Sequence, residues 1–171
     1  MIRFDSLPDG RVSLAADEDD ARALRALAEQ FVELLAEREA GADTSGAPTD
    51  PALLRLLPDP VPDDPEESSE VRALTESGLI EHKRENALRV AARLETQGTL
   101  DERDELAWLQ WLTDIRLVLA TRLGILVDGD EGASETDADR AMQWTYHGLG
   151  SLQADLIDAL DARSATSWSV G

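Results

Sequence analysis

The hydrophobic residues between Leu100 and Ile125 lie on so many sides of a helix that this segment is predicted to be the buried centre of the protein. At about 100° per residue, the apolar side chains sweep over half of the helical circle. They are Trp108, Leu109, Trp111, Leu112, Ile115, Val118, Leu119, Ala120 and Leu123. Only Gln110, Asp114 and Thr121 form a narrow polar stripe. Because such a helix lies inside a domain rather than on its surface, we expect the rest of the chain to wrap around the 100–125 helix.

Alternating apolar and polar residues at the amino terminus predict a β-hairpin over residues 2–14. Ile2 and Phe4 alternate with polar neighbours before a Pro-Asp-Gly turn sequence, and Val12 and Leu14 alternate after it. A two-stranded hairpin is marginal in water by itself. We therefore expect its apolar face to pack against the helices.

The next three helices are predicted to start at Asp17, Asp50 and Asp64, because each of these aspartates precedes a periodic pattern of apolar residues. Proline follows two of the three aspartates, which also favours a helix start. The predicted segments are a helix over 17–38, a loop over 41–49, a short helix over 50–57, an extended run over 58–64, a helix over 65–97, an acidic loop over 128–135 and a helix over 137–163. A kink or break in the 65–97 helix is predicted near residues 77–78, where serine precedes glycine.

Two capping boxes are predicted to begin the last two helices. Thr99 is followed three residues later by Glu102, and Thr136 is followed by Asp139. Residues 164–171 look like a flexible tail. Together these elements predict a mainly α, single-domain helical bundle over residues 1–163, built around a buried central helix and carrying an amino-terminal β-hairpin.

The charge of the chain disfavours direct contact with nucleic acid. Its 171 residues include 36 acidic and 16 basic side chains, which gives a formal net charge of -20. That charge repels a phosphate backbone unless a basic face is segregated from the rest. Lys83 is the only lysine, and alanine is abundant. These features fit either the amino-acid usage of a GC-rich genome or a salt-adapted acidic surface.

The remaining composition predicts a cytoplasmic protein. The chain has no cysteine, which excludes disulfides, thiolate metal sites and thiol-based redox sensing. Its first residues lack the apolar run of a secretory signal, and no stretch of about 18 apolar residues predicts a membrane span. We expect no membrane association, and the oligomeric state stays open.

Arg116 and Arg122 lie within the apolar arc of the central helix, where an unpaired guanidinium would cost several kcal/mol. They are either an anion-binding pair on the wall of a pocket or structural anchors for ion pairs. The structural interpretation is favoured, because arginine is the usual residue in buried ion pairs. Its candidate partners are the acidic residues Glu66, Glu67, Glu70 and Glu76.

Lys83, Arg84, Arg89 and Arg93 form the one local excess of basic residues. Because the surrounding charge is acidic, a protein-docking or salt-bridging face is a better interpretation than a nucleic-acid site.

The sequence predicts no catalytic residue, cofactor site or metal centre. Glu81, His82 and Glu85 lie close together on a helix, but they lack the Glu-x-x-His spacing of carboxylate-bridged metal sites. The remaining histidine, His147, suits a core or helix-surface position. No nucleophile elbow, dinucleotide-binding glycine motif or phosphate-binding loop is present.

Three segments of the chain resemble a known family. They are DPALLRLLPDPVPDDPEESSEVRALTE, HKRENA and LAWLQWLTDIRLVLATRLGI, within residues 50–127. The matches follow in order at residues 50–51, 55–59, 116–119 and 121–123, and they resemble the actinobacterial domain-of-unknown-function family DUF2017. Looser similarity extends to the amino-terminal hairpin and helix and to the final helix. Some members are oxidative-stress transcriptional regulators of the AosR type.

The resemblance implies a cytoplasmic, non-enzymatic protein of GC-rich Gram-positive bacteria. It also implies a role in transcription through contact with the transcription machinery, and a gene beside that of the Clp protease adaptor. Cysteine-based sensing does not carry over, because this chain has no cysteine, and its only methionines are Met1 and Met142.

Two functional hypotheses follow. The favoured one is a non-catalytic regulatory protein that docks onto a transcription or proteolysis partner. The alternative is a small-anion or metabolite binder that uses Arg116 and Arg122. An enzyme ranks third.

Overall fold

The computed structural model describes residues 1–41, 46–125, 127, 130, 132 and 135–167, with side chains described as far as residue 162. In chain order its elements are β1 (Arg3–Ser6), β2 (Val12–Ala15), α1 (Glu18–Ala40), α2 (Pro51–Leu56), α3 (Pro65–Thr96), β3 (Gly98–Thr99), α4 (Glu102–Arg122) and α5 (Asp137–Ser167). The mainly α prediction is confirmed. Among the described residues, no helix combines the length and apolar character needed to cross a bilayer.

Side-chain caps explain where the helices begin. The carboxylates of Asp17, Asp50 and Asp64 accept hydrogen bonds from backbone amides in the first turns of α1, α2 and α3, as predicted. The predicted box between Thr136 and Asp139 is also present, with both hydrogen bonds at 3.0 Å.

The predicted capping box of the central helix is wrong. Asp101, rather than Thr99, caps α4, and its carboxylate accepts from the amide of Asp104 at 2.7 Å. The Asp104 carboxylate in turn accepts from the amide of Asp101 at 3.1 Å. Thr99 does not cap the helix, because it belongs to β3 and pairs with Ser13 of β2.

The amino-terminal hairpin is part of a three-stranded antiparallel sheet in the order β1-β2-β3, so the two-stranded prediction was incomplete. Phe4 pairs with Leu14 across β1 and β2, and Leu14 pairs with Gly98 across β2 and β3. Gln97 and Gly98 have φ angles of 50° and 80°. These positive φ angles turn the chain sharply after α3, so that Gly98 and Thr99 run beside β2 as β3.

The central helix is buried, as predicted. Trp108, Trp111 and Leu112 are 0% exposed, and α2, α3 and α5 all pack against α4. The Phe4 ring meets Trp108 edge-on with centroids 5.2 Å apart, so the hairpin face packs on the helix as expected. Trp108 meets Trp111 in the same way at 5.9 Å.

Several predicted boundaries need correction. The helix α3 runs without a break through residues 77–78. Residues 58–64 contain a turn in which the Val61 carbonyl accepts from the Asp64 amide, instead of a uniformly extended run. Helix α5 continues to Ser167, so half of the predicted tail is helical. Residues 168–171, four residues of the 41–49 loop and most of the 128–135 loop lie outside the described residues.

Candidate functional site

Arg116 of α4 packs against α5 through an amide and an aromatic ring. Its Nη1 donates to Gln153 Oε1 at 2.6 Å, and its guanidinium carbon lies 5.1 Å from the centroid of the Tyr146 ring. The Nε atom is buried and has no hydrogen-bond partner among the described residues. Gly150 lies beside the guanidinium, and a Cβ atom there would be in van der Waals contact with it, 3.4 Å from Arg116 Nη2. No carboxylate among the described residues pairs with Arg116, so the expected acidic partner is replaced by an amide and an aromatic face.

Arg122 is not buried, contrary to expectation. Its side chain is 39% exposed, and its Nη2 lies 2.5 Å from Asp50 Oδ2. Burial of Asp50 acts to raise the pKa of its carboxyl group, but hydrogen bonds from Arg122 and from the backbone amides of α2 outweigh it and hold that pKa below its ordinary value. Arg116 engages α5 and Arg122 engages the start of α2. The two guanidiniums therefore do not form one anion pocket.

Glu76, one of the four acids proposed as partners of Arg116 and Arg122, belongs instead to a buried network that the sequence did not reveal. Glu76 Oε1 lies 2.6 Å from Arg38 Nε, and Glu76 Oε2 lies 2.5 Å from Arg72 Nη1. Arg72 also donates to the Leu57 carbonyl at 3.1 Å and pairs with Asp59 at 2.6 Å. This network connects α1, α3 and the segment after α2. The spacing of Arg72 and Glu76, four residues apart on one helix, was the available signal.

All four basic residues of the predicted basic face form ion pairs with acidic residues of this chain. Lys83 Nζ lies 2.7 Å from Asp114 Oδ1, and Arg89 Nη1 lies 2.9 Å from Asp104 Oδ1. Arg93 Nε lies 3.3 Å from Asp104 Oδ2. Arg84 pairs with Glu39 and Glu81. Of the two uses predicted for this face, the structure shows salt bridging, which connects α3 to α1 and α4.

A cleft of about 340 Å³ lies between α3 and α4, and both polar side chains and the leucines Leu79 and Leu109 line it. His82 Nε2 lies 2.9 Å from Gln110 Oε1, and Asn86 Nδ2 donates to the same oxygen at 2.7 Å. Burial raises the pKa of the Asp114 carboxyl group, although Lys83 and the nearby His82 act in the opposite direction. These contacts hold α3 against α4. Among the residues that the structure describes, no three potential metal ligands cluster, here or elsewhere.

A larger and mostly apolar groove lies between α1, α5 and the amino terminus. Its volume is about 590 Å³, and its apolar lining consists of Met1, Ile2, Ala23, Leu24, Leu27, Leu149 and Leu152. Polar residues at its edges include Asp20, Gln30, Thr145, Ser151 and Asp155. Each helical wall spans about three turns, or roughly 16 Å. The leucines Leu24 and Leu27 in the α1 wall are only half-buried.

Two residues of α5 shape this groove. Gly148 lies in its wall, and a Cβ atom at this position would meet nothing within 4 Å. Trp144 lies one helical turn before Gly148 on the same side of α5 and is 81% exposed. The groove therefore has an open wall at Gly148 and a large aromatic side chain exposed beside it.

Comparison with known proteins gives one family match. The family described as "Domain of unknown function (DUF2017)" matches residues 1–160 of this chain. No curated protein and no solved structure gives a significant match.

Proposed function

This chain belongs to the DUF2017 family, and on that premise we propose that it is a non-catalytic regulatory protein that docks a protein partner in the groove between α1 and α5. The observation that carries the proposal is the groove itself, with about 590 Å³ of mostly apolar space open at the surface. Apolar surface left open in a folded protein, bordered by polar residues, is typical of an interaction site.

The groove is a better docking surface than the face around Lys83, Arg84, Arg89 and Arg93. Those four cations are already paired with acids of this chain, and a partner would have to compete with those contacts. The apolar wall of the groove has no such intramolecular occupant among the described residues.

The more specific part of the proposal, which concerns the type of regulator and its partner, rests on the resemblance of residues 50–127 to the family. We propose a cytoplasmic, transcription-associated interaction module of the AosR type, from an actinobacterium. Its partner belongs to the transcription machinery or to Clp-associated proteolysis. The net charge of -20 supports docking to protein rather than direct contact with nucleic acid. The absence of cysteine supports a mode of action without thiol oxidation.

The experiment compares two tryptophan substitutions at helix-interior glycines. Gly148→Trp places a large side chain in the groove, whereas Gly78→Trp places the same side chain on α3, where there is also nothing within 4 Å. Partners are identified by affinity purification from the native cell and mass spectrometry, and each is then purified and titrated calorimetrically against the wild-type protein and both variants.

We expect Gly148→Trp to abolish binding of the purified partner and Gly78→Trp to leave it unchanged. Hydrogen exchange should show that the partner protects backbone amides of α1 and α5 along the groove. If Gly148→Trp bound every purified partner with the same affinity as the wild type, the proposal would be overturned.

A further inference from the structure

Resting on that proposed function, we infer that the occupant of the groove is an amphipathic helix of a partner protein with basic residues flanking its apolar face. The groove favours a helix because its walls are themselves two helices about three turns long. A third helix packs its side-chain ridge between two such walls, with anchors at i, i+3 or i+4, and i+7. The neighbouring sheet offers less to an extended peptide, because β1 has four residues and already packs against α5.

The size of the groove suits leucine-sized or aromatic anchors. Its floor contains Leu149 and Leu152, which are 2% and 7% exposed, so an inserted side chain contacts the main core. At Gly148 the wall has no side chain, which leaves room for one bulky anchor residue.

The charges around the groove select a basic partner. Asp155 lies at the edge of the groove, and Asp158 follows it three residues later on the exposed side of α5. Neither aspartate forms an ion pair with any residue whose side chain the structure describes, and the next basic residue in the sequence, Arg163, lies outside the described side chains. Asp20, by contrast, pairs with the Met1 amino group at 2.6 Å. The unmatched charge therefore lies on the α5 side.

The two remaining edge groups agree with this assignment. Among the residues that the structure describes, Arg3 is the one basic side chain that lines the groove, and it forms an ion pair with Asp5 at 2.9 Å. Trp144 offers an exposed indole face next to the groove, and indole faces attract guanidinium and ammonium groups. A second copy of this chain is disfavoured, because each copy carries a net charge of -20.

The test uses the full chain and three synthetic helical peptides of about 18 residues, a length of roughly 27 Å. All three share one leucine-rich apolar face, and their polar faces carry arginine and lysine, glutamine, or glutamate. Dissociation constants are measured by fluorescence anisotropy at several salt concentrations. The groove-blocking variants are Gly148→Trp on α5 and Ala23→Trp on α1, and the matched control is Gly78→Trp.

We expect the basic peptide to bind about ten-fold or more tightly than the neutral one, and the acidic peptide to bind weakest. Both groove-blocking variants should remove binding, and Gly78→Trp should keep it. The double variant Asp155→Asn with Asp158→Asn should weaken only the basic peptide and reduce its salt dependence. Gly148→Trp replaces a helix-interior glycine, which should stabilise the helix. A melting temperature at or above that of the wild type would show that this variant folds.

Two results would overturn the inference. One is equal affinity for the basic and neutral peptides. The other is binding of the basic peptide to both groove-blocking variants, because this would indicate general attraction to an acidic surface. Concentration-dependent dimerisation of the wild type that Gly148→Trp abolishes would assign the groove to a second copy and would also overturn it. If Gly148→Trp still removes the natural partner, the proposed function stands although the inference fails.

Discussion

Two arginine environments, one buried and one half-buried, illustrate how local contacts decide the free-energy cost of placing a charge inside a protein. Arg38 and Arg72 share the carboxylate of Glu76, and all three side chains are nearly inaccessible to water. Arg116 has no carboxylate among the described residues and instead contacts Gln153 and the face of Tyr146. Removing the carboxylate of Glu76 takes a shared counter-charge from two buried arginines, although Arg72 keeps its pair with Asp59, whereas removing Arg116 leaves no charge behind.

We predict that Glu76→Gln lowers the free energy of unfolding by about 3–5 kcal/mol, because it leaves two buried guanidiniums without their shared carboxylate. Arg116→Met should cost about 1–2 kcal/mol, since it removes a cation–π contact but keeps an apolar stem. Urea denaturation of both variants measures the difference. Arg122→Gln is the control, because exposed pairs contribute about 1 kcal/mol or less. A larger loss in Arg116→Met than in Glu76→Gln would contradict this interpretation.

Asp114 gives a prediction about pH. Burial raises the pKa of its carboxyl group above the ordinary value of 3.8, so the folded protein retains this proton to a higher pH than the unfolded chain. The stability that this group contributes is therefore greatest below pH 3.8 and decreases as pH rises through the window up to the raised pKa. The stability of the wild type relative to Asp114→Asn should decrease as pH rises above 3.8. A relative stability that grows with pH would show that Lys83 lowers the pKa instead.

At the scale of elements, the junction between α3 and α4 is the feature that depends most on distant parts of the chain. The Gln97 side chain accepts from the Ala16 amide and donates to the Ala16 carbonyl, both at 3.0 Å. Its backbone has a φ angle of 50°, which a non-glycine residue adopts at a cost. One side chain thus extends the pairing between β2 and β3.

Substitutions at Gln97 can separate these two effects. Gln97→Ala should lower the free energy of unfolding by about 2 kcal/mol, because it removes two hydrogen bonds. Gln97→Gly loses the same bonds but relieves the positive φ angle, so it should be about 1 kcal/mol more stable than Gln97→Ala. Thermal and urea unfolding of both variants provide the measurement. Equal stabilities would show that the backbone at this position is not strained.

The elements themselves were largely predictable, and the exceptions have a common cause. Caps at Asp17, Asp50, Asp64 and Thr136 depend on residues within one helical turn, so the sequence reveals them directly. The strand β3 was missed because its two residues become a strand only by pairing with β2, more than eighty residues earlier. The same pairing removed Thr99 from its predicted cap.

For the whole molecule, the dominant property is a large surplus of acidic residues. The net charge is -20, and the four cations of the predicted basic face are all paired within the chain. Mutual repulsion between unmatched acids destabilises the compact state. The same surplus is the basis for expecting a cationic partner at the groove.

We predict that the melting temperature rises when sodium chloride increases from about 20 mM to about 300 mM, because added salt screens this repulsion. Exposed ion pairs weaken over the same range, but each contributes little. Differential scanning calorimetry at constant pH tests the sign. A falling melting temperature would mean that ion pairs outweigh net repulsion, and the charge argument for the groove would then lose its support.

The periodicity of the chain by itself determined the number and kind of helices, the buried central helix and most helix starts, because each of these depends on residues within a few positions of one another. Only the tertiary structure decided which acid neutralises each arginine and which apolar stripe stays open. Leu24 and Leu27 have the same pattern as fully buried leucines, and they line a groove because α1 packs on α3 while α5 packs on α4 and β1. The space between two helices depends on where their other neighbours hold them, and the local sequence of neither helix specifies it.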